Sequence, residues 1–309
     1  MEQRVEGATP RSFVARAREL RRSRRPLVTE VDVVPGDSHV TVIEASAARP
    51  AVELRELWRA REMALVFAWR DVKVRYKQSL IGIGWAILQP LMMMIVFTLI
   101  FGKIAKIPSY GLPYQVFLYT GLLPWTFFST ALSQISSSVM ANRALVQKVY
   151  FPRLILPISG LLVPAIDFFF SFVILVCIMA WYQVHVELTA VLAPLFLLLL
   201  AATALGVGAV FATIAARYRD VPYALPFLVT MWLYLSPVIY GTKALPHKVE
   251  VLSAFNPATA AISGFRWSIT GTPPPTTLQL VLGVAMALLF IAVGFRIYRS
   301  WESRFADTI

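Results

Sequence analysis

Apolar positions fall along this chain in long runs separated by short basic clusters, and that pattern places its helices. An ion at the bilayer centre is costly and a spanning helix needs about 20 mostly apolar residues, so charge-free windows mark the expected spans. Six windows qualify. Residues 78–102 form a 25-residue uncharged stretch between Lys77 and Lys103. Between Lys106 and Arg143 lie 36 more, where Pro108, Gly111 and Pro113 predict a loop ahead of a span near 114–138. The third window, near 155–181, holds one acid, Asp167, and the fourth fills 188–216. The fifth, 221–241, carries Pro222, Pro226 and Pro237 and is expected to be kinked, since neighbouring helices re-satisfy the carbonyls that proline frees. The sixth runs near 278–298. The pattern predicts an all-α, polytopic membrane protein.

Ahead of the first window the period changes. Over 51–77 apolar or small residues recur at Leu57, Trp58, Ala64, Leu65, Ala68, Trp69, Val72 and Tyr76, while Glu53, Arg55, Glu56, Arg59 and Glu62 take the other side and Arg61 interrupts the stripe. Its longest uncharged stretch, Met63 to Trp69, is too short to cross a bilayer. The segment is therefore expected to lie in the interface as an amphipathic helix, with Trp58 and Trp69 at headgroup depth. It serves either as a surface strut or as a receiver of a phosphate or pyrophosphate headgroup, for which Arg59, Arg61, Arg70, Lys73, Arg75 and Lys77 supply the cations. Residues 1–50 read as a basic arm with no signal-peptide core, containing the cluster Arg21, Arg22, Arg24 and Arg25 and a weak hairpin pattern over 27–46. Residues 299–309 form a short tail.

Composition sharpens this picture. The 309 residues are 58% hydrophobic and 15% charged, against roughly 45–50% and 25% for soluble domains. A soluble globule is excluded. The formal charge of +12 suggests nucleic acid only until the positions of the cations are considered. Of the 29 Lys and Arg residues, 16 lie in residues 1–79, 3 in the 139–154 loop, 2 in 217–220 and 3 at the C-terminal end from Arg296 onward. The other loops hold five: Lys103, Lys106, Lys243, Lys248 and Arg266. Cytoplasmic loops are enriched in Lys and Arg, so this asymmetry puts both termini in the cytosol and makes membrane topology the cause of the basic balance.

Candidate chemistry is sparse. There is no DxD pair, no HExxH and no GxxxxGK[ST], and His39, His185 and His247 are scattered. The lone cysteine, Cys177, lies in an apolar run. No catalytic, cofactor or metal site is expected in this chain. Asp167 is the only clear acid in the spans; it is either a coupling-ion site or a paired group near a helix end. The spans do carry uncharged polarity and aromatics. Trp85 and Gln89 share a face of the first span, and Thr126, Thr130, Ser133 and Ser137 recur at helical spacing in the second. With Trp125 and Tyr234, these residues either pack helices closely or line a path for a hydroxyl-rich substrate.

The stretches "WRDVKVRYKQSLIGIGWAILQPL" (69–91), "GLLPWTFFSTAL" (121–132), "NRALVQKVYFPRLILP" (142–157), "RYRDVPY" (217–223), "LSPVIY" (235–240) and "FNPATAAISGFRW" (255–267) resemble the type-2 ABC transporter permeases that export bacterial polysaccharides such as O-antigen, capsule and teichoic acid. The resemblance covers about residues 45–300 in consistent order. It implies a six-span permease in the bacterial inner membrane, paired with a second copy and with two P-loop ATPase subunits that hold the ATP and magnesium. It further implies an undecaprenyl-pyrophosphate-linked glycan as substrate. The loop matching the family's coupling helix is 142–152, with Asn142, Arg143, Gln147, Lys148 and Tyr150 as expected ATPase contacts. Residues 242–277 match short re-entrant helices ahead of the last span. The competing readings are an ABC permease for another amphiphile, such as a drug or different glycolipid, an ion-coupled carrier and a membrane glycan enzyme. The shortage of acids disfavours the last two.

Overall fold

A computed structural model describes residues 61–77, 84–148, 151–218, 220–302 and 305. The chain divides into two units, 1–47 and 48–309, and every described residue belongs to the second. The basic arm, the 27–46 pattern, Arg59, the first half of the interfacial segment and Tyr150 all lie outside the described residues. Among those described there is no strand.

In chain order the helices are α1 (Arg61–Lys77), α2 (Gly84–Phe97, continued by a π-helical turn to Ile104), α3 (Tyr114–Ala141), α4 (Arg143–Lys148), α5 (Ile155–Ser159) and α6 (Leu162–Trp181). Then follow α7 (Ala193–Arg217), α8 (Val221–Leu235), α9 (His247–Ser253), α10 (Pro257–Thr270) and α11 (Thr277–Glu302). Five segments are long and apolar enough to cross a membrane: 87–104, 114–141, 155–181, 188–217 and 277–302. They agree with five of the six sequence windows.

The fifth window behaves differently. Its helix stops at Leu235 after 15 residues, a rise of about 22 Å against a hydrocarbon core of about 30 Å. Pro237 cannot continue the ladder, and Ser236 through Ile239 are buried in non-helical backbone. Backbone of that kind survives inside protein only when its polar groups find partners. Here Arg266 Nη2 donates to the Val238 carbonyl at 2.8 Å, the Tyr114 hydroxyl donates to the Ile239 carbonyl at 3.0 Å, and Asn256 Nδ2 donates to Ser236 Oγ at 3.0 Å. Asn256 also caps α10 by accepting from the Ala258 N–H, and Gly271 ends that helix with φ +67, a left-handed backbone that glycine adopts without a Cβ penalty. Arg266 is thus a buried staple, 2% exposed, and not the loop charge that the sequence count assumed. The stretch "FNPATAAISGFRW" contains an arginine because a broken helix beside it has carbonyls to satisfy.

At the centre α3 is enclosed on most sides. Its residues Leu122, Phe128, Leu132 and Ile135 join Leu200 and Ala204 of α7 and Ala258 and Ile262 of α10 in one apolar core. Helices α7 and α11 touch through glycines: a Cβ on Gly294 would stand 2.0 Å from the Gly206 carbonyl oxygen. Apolar side chains gain little by leaving lipid for protein, so close approach through small residues replaces the hydrophobic drive. Large side chains on α2, α8 and α11, among them Ile95, Phe227 and Leu288, remain exposed, as lipid-facing positions do.

Candidate functional site

The site is built where α1 meets α3 and α6. Helix α1 lays Ala68 and Val72 against the bundle. At 100° per residue, Asp71 and Arg75 fall in the same arc, so two ions lie on the inward side of this helix. Each has a partner. Arg75 Nη2 stands 2.8 Å from Asp167 Oδ2 on α6, and the Tyr76 hydroxyl donates a hydrogen bond to the other carboxylate oxygen. Arg70 Nη2 donates to Asp71 Oδ1 and to Asn142 Oδ1, both at 2.6 Å, while its guanidinium lies over the Phe67 ring. Burial, reinforced by the Asp167 carboxylate, pushes the Tyr76 hydroxyl well above its ordinary pKa. The lone acid of the spans is therefore a paired group near a helix start, 8% exposed, that fastens α1 to α6.

Two openings adjoin this latch, and Arg75 lines both. On one side is a narrow crevice of ≈20 Å³ whose walls include Gln89, Thr126, Thr130, Asp167 and Ser171, room for little more than a water molecule. On the other is a cleft of ≈290 Å³ bounded by Asp71, Val74 and Arg75 of α1, Gln134, Ser137, Ser138 and Ala141 of α3, then Asn142, Leu156 and Gly160. Around Arg75, one of the expected headgroup cations, the two openings gather residues that the sequence offers separately: Gln89 and Thr130 of the expected channel lining in the crevice, and Ser137 of that lining with Asn142 of the coupling loop in the cleft. Sequence reasoning missed Asp71 and Gln134. The signal for Gln134 was present, since it continues the Thr126, Thr130 spacing by one more turn.

The other expected residues distribute as follows. Lys73 and Lys77 are exposed and form no ion pair with a described residue, whereas Arg61 makes a contact of its own. Arg143, Gln147 and Lys148 are exposed on α4, while Val146 between them is 2% exposed and anchors the turn beside Val139, Phe151, Leu154, Tyr298 and Phe305. Asn142 is buried at 5% and holds the junction between α3 and α4, its Nδ2 donating to the Ser138 carbonyl at 2.8 Å. Ser133, Ser137, Trp85 and Tyr234 are exposed, but Trp125 is buried against Phe128. Beyond α4 the chain is gripped by the last helix: Glu302 Oε1 accepts from the Arg153 N–H at 2.9 Å, and the Tyr298 hydroxyl donates to the Arg153 carbonyl at 2.9 Å. Nothing in the sequence spacing announces that pairing across about 150 residues.

The ABC-2 type transporter family matches residues 64–270, more than half of the chain. The chain belongs to that family. Among its relatives are the O-antigen export system permease protein RfbA of Klebsiella pneumoniae, 26% identical over 80% of this chain and 95% of the relative, and RfbA of Myxococcus xanthus, 26% identical over 83% and 98%. The polysialic acid transport protein KpsM of Escherichia coli is 22% identical over 75% of this chain and 91% of its own. The matched range opens within α1 and closes at the end of α10. For an ABC-2 type protein the latch, both clefts and the α4 turn therefore all fall inside the family domain.

Proposed function

We propose that this chain is the permease subunit of an ATP-driven exporter that moves undecaprenyl-pyrophosphate-linked, O-antigen-like polysaccharide across the bacterial inner membrane. The carrying observation is near end-to-end similarity to permeases named for O-antigen export, 95% and 98% of whose lengths are matched. Two copies enclose the path, and two P-loop ATPase subunits dock beneath them. Six crossings with both termini in the cytosol fit the loop charges, since burial of Arg266 reduces the five non-cytosolic cations to four. In this arrangement α8 with Ser236–Gly241 is the fifth crossing, α9 and α10 are the re-entrant pair at the exit, and α1 lies in the cytoplasmic interface.

Each part has a physical role in that reading. Exposed Arg143, Gln147 and Lys148 meet the ATPase, while Val146 ties α4 to the cores of α3, α7 and α11 so that force on the turn reaches the bundle. Lys73 and Lys77 remain available to a phosphate-bearing headgroup, because Arg70 and Arg75 are engaged within the protein. The hydroxyl and amide face of α3, with Gln89 of α2, offers hydrogen bonds to a glycan without requiring ions. ATP, magnesium and hydrolysis belong to the partner. The alternative is an ABC permease for another amphiphile: the inner membrane transport permease YadH of Escherichia coli is also 25% identical over 67% of the chain.

The deciding experiment is ATPase activity of the co-purified permease–ATPase complex in nanodiscs, measured with lipid-linked glycans, lipid-linked drugs and glycolipids of other anchors. Stimulation by undecaprenyl-pyrophosphate-linked glycan is expected. Stimulation confined to another amphiphile would move the protein to the alternative.

A further inference from the structure

We infer that the ≈290 Å³ cleft between α1, α3 and α5 is a binding site for a single neutral sugar ring, the one nearest the lipid anchor of the transported glycan. The inference rests on the export reading above and adds a recognition step to it.

Size sets the first limit. Small-molecule sites span about 300–1,000 Å³, so this cleft sits at the small end and takes one ring rather than an oligosaccharide. Charge sets the second. The two ions in the lining are already neutralised, Asp71 by Arg70 and Arg75 by Asp167. A phosphate there would meet no unpaired cation among the described lining residues, whereas an uncharged group gains hydrogen bonds without displacing an ion pair. Lys73 and Lys77 stay outside the lining, about 120–160° around α1 from Asp71 and Arg75 at 100° per residue, but Lys77 is only about 60° from Val74 of the lining, which puts that lysine on the rim where the attached pyrophosphate lies.

The available donors and acceptors then select hydroxyl groups. The Ser137 hydroxyl donates to the Ser133 carbonyl at 3.0 Å and the Ser138 hydroxyl to the Ile135 carbonyl at 2.7 Å, which leaves their oxygens as acceptors. Gln134 makes no side-chain hydrogen bond to a described residue and offers both a donor and an acceptor. Asn142 and Asp71 are held in place by Arg70, so the wall is fixed before a ligand arrives. Among the described residues no aromatic side chain lines the cleft, and recognition there rests on hydrogen bonds rather than stacking. A site built to hydrogen-bond hydroxyls discriminates strongly against an analogue that lacks them. The cleft therefore distinguishes a lipid carrier bearing its first sugar from a carrier bearing none, before export begins.

The test uses the full permease co-purified with its ATPase in nanodiscs, titrated with bare undecaprenyl pyrophosphate and with a panel of undecaprenyl-pyrophosphate-linked single hexoses and N-acetylhexosamines. At least one sugar-bearing lipid is expected to reach half-maximal ATPase stimulation at a concentration at least fivefold lower than the bare lipid. Gln134→Leu, which keeps the volume and removes the amide, and Ser137→Phe, which fills the cleft from an exposed position, are each expected to bring that ratio to near one. A wild-type ratio of one across the panel would overturn the sugar site while leaving the export reading intact. An unchanged ratio in both variants would do the same. Absence of stimulation by any of these lipids, from a complex that hydrolyses ATP, would count against the export reading itself.

Discussion

Asp167 acquires its role from two neighbours 91 and 92 residues away. With both carboxylate oxygens engaged, removal of Arg75 leaves a largely buried acid with only a phenol for company. The Arg75 side chain is 39% exposed, and solvent screening keeps the cost below that of a fully buried pair. Arg75→Ala should lower the stability of the purified protein by about 1–3 kcal/mol. The double variant Arg75→Ala with Asp167→Asn should recover part of that loss, because the orphaned charge is gone. Thermal unfolding in detergent measures both, and an additive double variant would mean that the pair is not coupled. A parallel argument applies to Arg266. Its guanidinium donates to the Phe117 and Val238 carbonyls and lies 4.0 Å from the centre of the Phe117 ring. Arg266→Leu should cost about 1–3 kcal/mol for the Val238 carbonyl left dry, since the Thr120 hydroxyl still donates to the Phe117 carbonyl. Gly121→Ala should damage the same place, since its Cβ would stand 2.1 Å from Arg266 Nη2.

At the level of elements, contact between α7 and α11 depends on having no side chain at Gly206 and Gly294. Gly294→Leu should separate the two helices and reduce folded yield and melting temperature, whereas Ala292→Leu, on the exposed side of α11, should leave both near wild type. Equal behaviour of the two variants would show that the close approach is dispensable. The α4 turn invites a different separation. Arg143→Glu with Lys148→Glu alters only exposed side chains and should preserve the fold while abolishing ATPase stimulation in the complex. Val146→Asp buries an unpaired carboxylate and should lose the fold itself, by circular dichroism and gel filtration. Normal stimulation in the charge-reversed protein would mean that the basic turn only sets topology.

For the whole molecule the open quantity is the number of crossings. Helix α8 falls short of the bilayer thickness, but the buried run Ser236–Ile239 continues it. If the two together cross, both termini face the cytosol. Reporter fusions at residue 309 and labelling of cysteines introduced at Lys106 and Lys243 should place the C-terminus inside and those two positions outside. An externally accessible C-terminus would remove α8 from the count and leave five crossings. Legibility from sequence tracks the range of the interaction. The long helices 114–141, 188–217 and 277–302 were readable because the penalty for an ion in hydrocarbon acts residue by residue. The outward cations of α4 were readable because the turn is short and local. The latch, the clefts and the grip of Tyr298 and Glu302 on Arg153 were not, because each joins residues whose spacing carries no period.

The sequence by itself determined that this chain is helical and membrane-embedded, where four of its apolar segments begin and end to within about four residues, and which family it resembles. These properties follow from transfer free energies that add along the chain. Only the tertiary structure decided that Asp167 is paired, that Arg266 is a buried staple, that α8 ends at Leu235, and that Arg75, Gln134, Ser137 and Asn142 surround one cleft. These are properties of pairs. A charge or a carbonyl in a dry interior is tolerated only when a partner from another element reaches it, and a linear pattern does not specify which partner arrives.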